Sequence, residues 1–405
     1  MNAIAESYVK LALAAGKHDP DFVDAYYGPP EWKTAADAAA VPLMEVVQRA
    51  NALLAQLGDR ITGEASELVQ LRHAYLRKQL LALVTRLGIV QGTKLAFDDE
   101  ARALYDVTPP TNSEDHFREI VARLDTALPG RGPVHERYVS YRDRFVIPAA
   151  KIDTVFKTAI AACKERTAKH LTLPPGESFV VEYVTDKPWS GYNWYKGSYH
   201  SVIQVNTSLP IYIDRAVDLA CHEGYPGHHV YNALLEKHLV RDRGWVEFSV
   251  YPLFSPQSLI AEGTANYGID IAFPGETRIT YERETLFPLA GLPADKADEY
   301  YRVQKLAHEL SYAGNEAARR YLNGAIDAAA AAAWLERYAL MSPPAAQQRI
   351  RFFDTYRSYV INYNYGLDLV RSYVERAAGP NAGAARRWEV FGALLSSPRL
   401  PSGLQ

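Results

Sequence analysis

Cysteine is nearly missing from this chain: Cys163 and Cys221 are the two in 405 residues. So small a number excludes a disulfide framework and fits a reducing compartment, which makes the cytoplasm the expected location. Cys221 adjoins His222 and is expected as a small buried residue, with metal ligation as the alternative. No apolar run reaches the 18 residues that suggest a membrane span, and residues 1–17 carry Glu6 and Lys10 within their apolar portion, so no signal peptide is expected. Positive charge is not concentrated either. The 44 Lys and Arg are dispersed among 47 Asp and Glu for a net charge of -3, which leaves no basic stripe for nucleic acid or an anionic membrane. No tandem repeat or long low-complexity tract is present.

What is abundant is apolar sequence at helical spacing, and the 48% of hydrophobic residues suffice for a substantial core. Helices are expected over 2–16, 36–58, 64–87, 94–106, 113–127 and 133–169, with Pro148 breaking the last; Leu76, Leu80, Leu83 and Leu87 give the period. These make residues 1–170 an N-terminal helical lobe. From residue 171 the texture changes. Ser178–Val184 and Ser201–Thr207 are β-rich runs separated by an aromatic loop, Trp189 to Tyr195, and predict a small antiparallel sheet in a second lobe, 171–405. Further helices are expected near 214–238, 256–270, 276–290, 294–313, 325–340, 344–376 and 383–396. The fold class is therefore mainly α with a small antiparallel sheet.

Three of eleven histidines fall in one stretch, His222-Glu223-Gly224-Tyr225-Pro226-Gly227-His228-His229, and Glu262 follows in an Ala261–Gly268 segment. Imidazoles and a carboxylate holding Zn²⁺, an open position for water and a second carboxylate to take its proton are the parts of a hydrolytic metal site. His222 and Glu262 are the outer ligands of this reading and Glu223 the general base, with one zinc per chain. In a straight helix His228 would lie about 120° round from His222, and His229 about 20° round but roughly 10 Å along the axis, so neither could share an ion. Pro226 lacks an N–H and clashes with the carbonyl of His222, and Gly227 permits unusual backbone angles, so a bend after Tyr225 is predicted. That bend favours His228 as second histidine, with His229 as the alternative. Asp218 and Asn266 stand one helical turn from ligands and are candidates to orient them.

HEGYPGHH resembles the HExxPGHH signature of the bacterial domain-of-unknown-function 885 family, whose members resemble zinc-dependent, largely helical peptidases. The similarity extends over about residues 180–400. Gly197–Thr207 resembles the family's strand ending in Asn, Ala261–Gly268 its Glu-Gly segment, and Tyr359–Gly366 its Tyr-and-Gly segment. Residues 305–312, with His308, depart from the family's Asp-x-Gly-x-x-His pattern, and the N-terminal half is shorter than in many relatives. The resemblance implies a zinc peptidase in which Tyr363, and less directly Arg357 and Tyr359, stabilise an oxyanion or hold a substrate carboxylate. A strand beside the metal that pairs with substrate gives Tyr199, His200 and Asn206 binding roles. Short peptides are the expected substrates of a cleft walled by helices. The alternatives are an amidase or esterase acting on a non-peptide, and an inactive helical binding protein with a structural zinc closed by His229, His200 or Cys221.

Overall fold

The computed structural model describes residues 1–61, 63, 65–187 and 189–405. Helices dominate, as the apolar periodicity predicts. The helix expected over 64–87 spans Glu67–Val90, capped by Ser66, whose hydroxyl accepts from the Val69 N–H; residue 64 itself lies outside the described residues. Leu76, Leu80, Leu83 and Leu87 are all fully buried on its inner face. Two expected helices are divided. The 36–58 stretch is carried by Pro30–Ala38 and Leu43–Leu57, because Pro42 serves as the N-cap of the second. The 133–169 stretch breaks, as foreseen, around Pro148 into Val134–Arg142 and Ile152–Ala168.

The single helix expected over 344–376 is also two, Pro343–Tyr356 and Ile361–Ala378. A buried carboxylate makes the corner. Glu100, on the helix Phe97–Tyr105, accepts from the Ser358 N–H and hydroxyl at 3.1 and 2.6 Å and from Arg357 Nε at 2.6 Å, and Arg357 takes a left-handed φ of +52°. Charge-assisted bonds of this kind offset the backbone cost of leaving the helix.

Among the described residues, five strands form two small sheets. β1 (Val23–Tyr26) pairs antiparallel with β5 (Val250–Pro252). β2 (Ser178–Val184), β3 (Gly191–Gly197) and β4 (His200–Asn206) form a sheet in the order β2-β4-β3. The antiparallel pair is β3 with β4, so the aromatic stretch read as a loop is itself a strand. The two β-rich runs, β2 and β4, lie parallel, with Ser178 opposite His200 and Val184 opposite Asn206. The intervening β3 supplies the reversal that a direct hairpin between them would have needed.

The hydrophobic core runs from Ala5 to Leu404 without interruption at residue 170. Buried ion pairs reinforce it across the chain: Arg72 meets Glu247 through two nitrogens at 2.5 and 3.0 Å, and Arg86 meets Asp19 at 2.6 Å. No helix among the described residues is long and apolar enough to cross a membrane. The cysteine expectation is corrected. Cys163, on Ile152–Ala168, and Cys221 are joined in a disulfide with Cα atoms 5.7 Å apart, because that helix packs on the segment just before His222.

Candidate metal centre

The helix that begins at Asp214 is regular as far as Leu219 and then widens. The Tyr225 N–H reaches the Ala220 carbonyl at 3.2 Å and the Gly227 N–H reaches Cys221 at 2.9 Å, five- and six-residue steps in place of four. Pro226 has no N–H with which to continue the four-residue ladder. Gly227 is obligatory: a Cβ there would lie 1.8 Å from the His222 carbonyl oxygen. A new helix, His228–Leu235, starts immediately. The break turns the His228 ring onto the His222 ring at 88°, with the two Nε2 atoms 3.1 Å apart.

Glu262 arrives from a different direction. Its helix, Pro256–Ala272, crosses Ile361–Ala378 where Gly263 meets Gly366, so closely that a Cβ on Gly263 would be 2.5 Å from the Gly366 oxygen. This contact brings the corner before Ile361 over the carboxylate, and the Tyr359 hydroxyl donates to Glu262 Oε1 at 2.9 Å. Oε2 is buried with no hydrogen-bond partner, 3.4 Å from His222 Nε2 and 3.9 Å from His228 Nε2. Asn266 lies one turn further along. Its Oδ1 accepts from His222 Nδ1 at 3.1 Å, and its Nδ2 donates to the Tyr363 carbonyl at 3.0 Å.

These residues fit a divalent ion. The His222, His228 and Glu262 ligand atoms all lie within 4.8 Å of one another. Two nitrogens on one tetrahedral zinc are separated by about 3.3 Å, close to the spacings found here. Asn266 fixes the His222 tautomer that leaves Nε2 free, and Tyr359 occupies one Glu262 oxygen and leaves the other. Burial and the neighbouring His222 push His228 down to about 4, so it is the neutral imidazole that a metal requires. Burial alone would raise Glu262, but the nearby His222 and His228 and the Tyr359 hydrogen bond outweigh it and hold it below the ordinary carboxylate value.

Glu223 is buried beside this trio, and burial together with the Glu262 charge pushes it up to about 7, against the lowering effect of His222. Gly191 at the start of β3 covers it; a Cβ there would stand 3.1 Å from Glu223 Oε1. A third carboxylate shares the field. Asp24 of β1 is raised to about 7 by burial and then by Glu262 and Glu223, and it accepts a hydrogen bond from the Tyr192 hydroxyl of β3. Tyr363 packs its ring 5.7 Å from Tyr359 and is 37% exposed. Its hydroxyl is held well above the ordinary range by desolvation and by the Glu262 and Glu223 charges.

No family model matches the sequence, and no curated protein matches it. Among solved structures, it is similar to a "putative lipoprotein" from Colwellia psychrerythraea, at 17% identity over 92% of this chain and 71% of that one, with a TM-score of 0.54. A "putative lipoprotein of unknown function" from Shewanella oneidensis is similar at 13% identity over 90% of this chain and 76% of that one, with a TM-score of 0.42. The first of these is a likeness of fold.

Several residues singled out in the sequence lie elsewhere. His229 is fully buried with both nitrogens engaged, Nδ1 to Ser201 Oγ and Nε2 to Glu177 Oε2, each at 2.9 Å, so it does not replace His228. Asp218 pairs with Arg215 at 2.9 Å and Arg278 at 2.8 Å instead of orienting His222. Arg357 is committed to Glu100, and Tyr359 to Glu262. Tyr199 packs under Arg241 and gives its N–H to Glu236; His200 bonds Ser178 at the end of β4, which is the central strand. Asn206 donates to the Lys187 and Trp189 carbonyls and so holds the connection into β3. His308 ends the helix Ala297–His308 and is not part of the ligand cluster. Asp24 was not legible: it stands 198 positions before His222, in a short strand with no motif of its own.

Proposed function

We propose that this protein is a metal-dependent hydrolase that cleaves short peptides, with one Zn²⁺ held by His222, His228 and Glu262. The observation that carries the reading is the convergence of two imidazole Nε2 atoms and a buried carboxylate oxygen without a hydrogen-bond partner, while His222 Nδ1 is fixed by Asn266 and Glu262 Oε1 by Tyr359. When bound, the ion supplies Lewis acidity toward a carbonyl and acidifies a water. Glu223, poised near neutrality beside the trio, takes a proton from the attacking water and returns it to the leaving amine. The Tyr363 hydroxyl, which stays protonated, donates to the oxyanion as charge develops. β3, an edge strand passing over Glu223, is available to an extended peptide in place of the central β4.

A closed structural zinc site would need a fourth protein ligand. The three candidates are occupied: Cys221 by Cys163, His229 by Ser201 and Glu177, and His200 by Ser178. The disulfide supports an oxidising compartment over the cytoplasm that composition suggested. The deciding experiment is metal content by elemental mass spectrometry on wild type and on His222→Ala, His228→Ala, His229→Ala and Glu262→Ala. One zinc per chain is expected, retained only in wild type and His229→Ala. No stoichiometric metal after zinc is supplied would overturn the reading.

A further inference from the structure

The aromatic side chains of the corner at Arg357 form a ladder that leads away from the ligand trio. Tyr359, bonded to Glu262, packs against Tyr363 at 5.7 Å, Tyr356 at 6.1 Å and Phe352 at 6.4 Å. At its far end the Arg349 guanidinium sits over the Phe352 ring at 5.0 Å. Arg349 is half-buried, yet it makes no hydrogen bond or ion pair among the described residues. The most buried arginines of this protein, by contrast, are matched by carboxylates: Arg72 by Glu247, Arg86 by Asp19 and Arg319 by Glu316; Arg278, half-buried, is held by Asp218 and Glu282. An arginine is rarely taken out of water without an anion. Desolvation lowers Arg349 from its ordinary value, and its charge reaches the Tyr363 hydroxyl, which also feels the Glu262 and Glu223 charges.

We infer that Arg349 is the receptor for the free C-terminal carboxylate of the substrate, so that the hydrolase of the preceding section acts on peptides from that end. This rests on the hydrolase reading and adds the substrate's end group to it. A planar guanidinium presents paired N–H donors that match a carboxylate, and the Phe352 ring beneath it holds the plane. Arg357, the other arginine near the ladder, is spent on Glu100.

The test uses an N-acetylated mixed-sequence tripeptide library, made once with free C-terminal carboxylates and once as C-terminal amides. Peptides retained by metal-free protein are identified by affinity-selection mass spectrometry, and hydrolysis by zinc-loaded protein is read on the same two libraries. Wild type is expected to retain acids over amides by at least tenfold, Arg349→Met to lose the preference, and Arg349→Lys to keep part of it, with all three melting alike. Equal retention of acids and amides, no retention of either, or a preference that survives in Arg349→Met would overturn the assignment. Absent hydrolysis with the acid preference intact would overturn the hydrolase reading alone. Equal hydrolysis of acids and amides would overturn the role of Arg349 alone.

Discussion

Glu223, Tyr359 and Tyr363 stand within one small volume, yet their surroundings assign them different work. Glu223 is not one of the three candidate ligands, so Glu223→Gln is expected to keep the zinc and to lose hydrolysis by a factor of about 10²–10⁴. Parallel metal analysis and peptide assays read this directly, and a variant with unchanged turnover would sink the general-base role. Tyr359 holds Glu262 in place. Its removal in Tyr359→Phe should weaken zinc affinity by about 10- to 100-fold, the range seen when a group that orients a ligand is lost. It is Tyr359, not Tyr363, that bonds Glu262, so Tyr363→Phe should leave zinc affinity alone and lower kcat; competition with a chelator separates the two tyrosines.

At the scale of elements, two contacts decide whether the ligands meet. One is the helix crossing at Gly263 and Gly366. Gly263→Ala places a methyl group 2.5 Å from a backbone oxygen that cannot move without its helix, which should cost about 1–3 kcal/mol and lower zinc occupancy together. Thermal melts with metal analysis check both, and full zinc occupancy in a normally stable variant would deny the crossing its role. The other is the clamp before β2. Glu177 accepts from His229 and Tyr225 and pairs with Lys164 at 2.8 Å, which fixes the residue next to His228. Burial would raise its pKa, but those three bonds overcome it and hold the carboxyl at about 2 against an ordinary 4.5. A depressed folded pKa stabilises above the unfolded value and is lost as pH falls through 4.5 toward 2. Glu177→Gln should therefore be less stable than wild type by on the order of 3 kcal/mol at pH 7, with the gap closing at pH 4 and below. Denaturant melts at several pH values measure this; a gap independent of pH would refute it.

For the whole molecule, the feature most distant from expectation is the disulfide. It closes a loop of 58 residues and ties Ile152–Ala168 to the segment that carries His222. A crosslink of that span is worth about 4 kcal/mol on chain-entropy grounds. Reduction, or Cys163→Ser, should lower the melting temperature and loosen zinc binding together, and intact-mass analysis of protein alkylated without reductant should show no modified cysteine. Two alkylated thiols would return the protein to a reducing compartment. The continuous core has a similar consequence: β1, from the first 26 residues, is paired with β5, so removal of residues 1–26 should unfold the molecule and not merely trim it.

The sequence by itself determined what depends on a few neighbouring residues. Apolar spacing set the helices, and a proline without an N–H followed by glycine set the break between His222 and His228. The location of the candidate site followed from the crowding of His and Glu around that break. The tertiary structure decided everything that rests on groups far apart in the chain. Whether His228 or His229 faces His222 depends on how the new helix starts and on Glu177 and Ser201 capturing His229. The arrival of Asp24, the corner that Glu100 imposes at Arg357, the hold of Tyr359 on Glu262 and the pairing of Cys163 with Cys221 are long-range contacts of the same kind. Local chemistry fixes the direction of a chain over one or two turns, but which side chains converge is set by how entire helices pack, and no short stretch of sequence contains that.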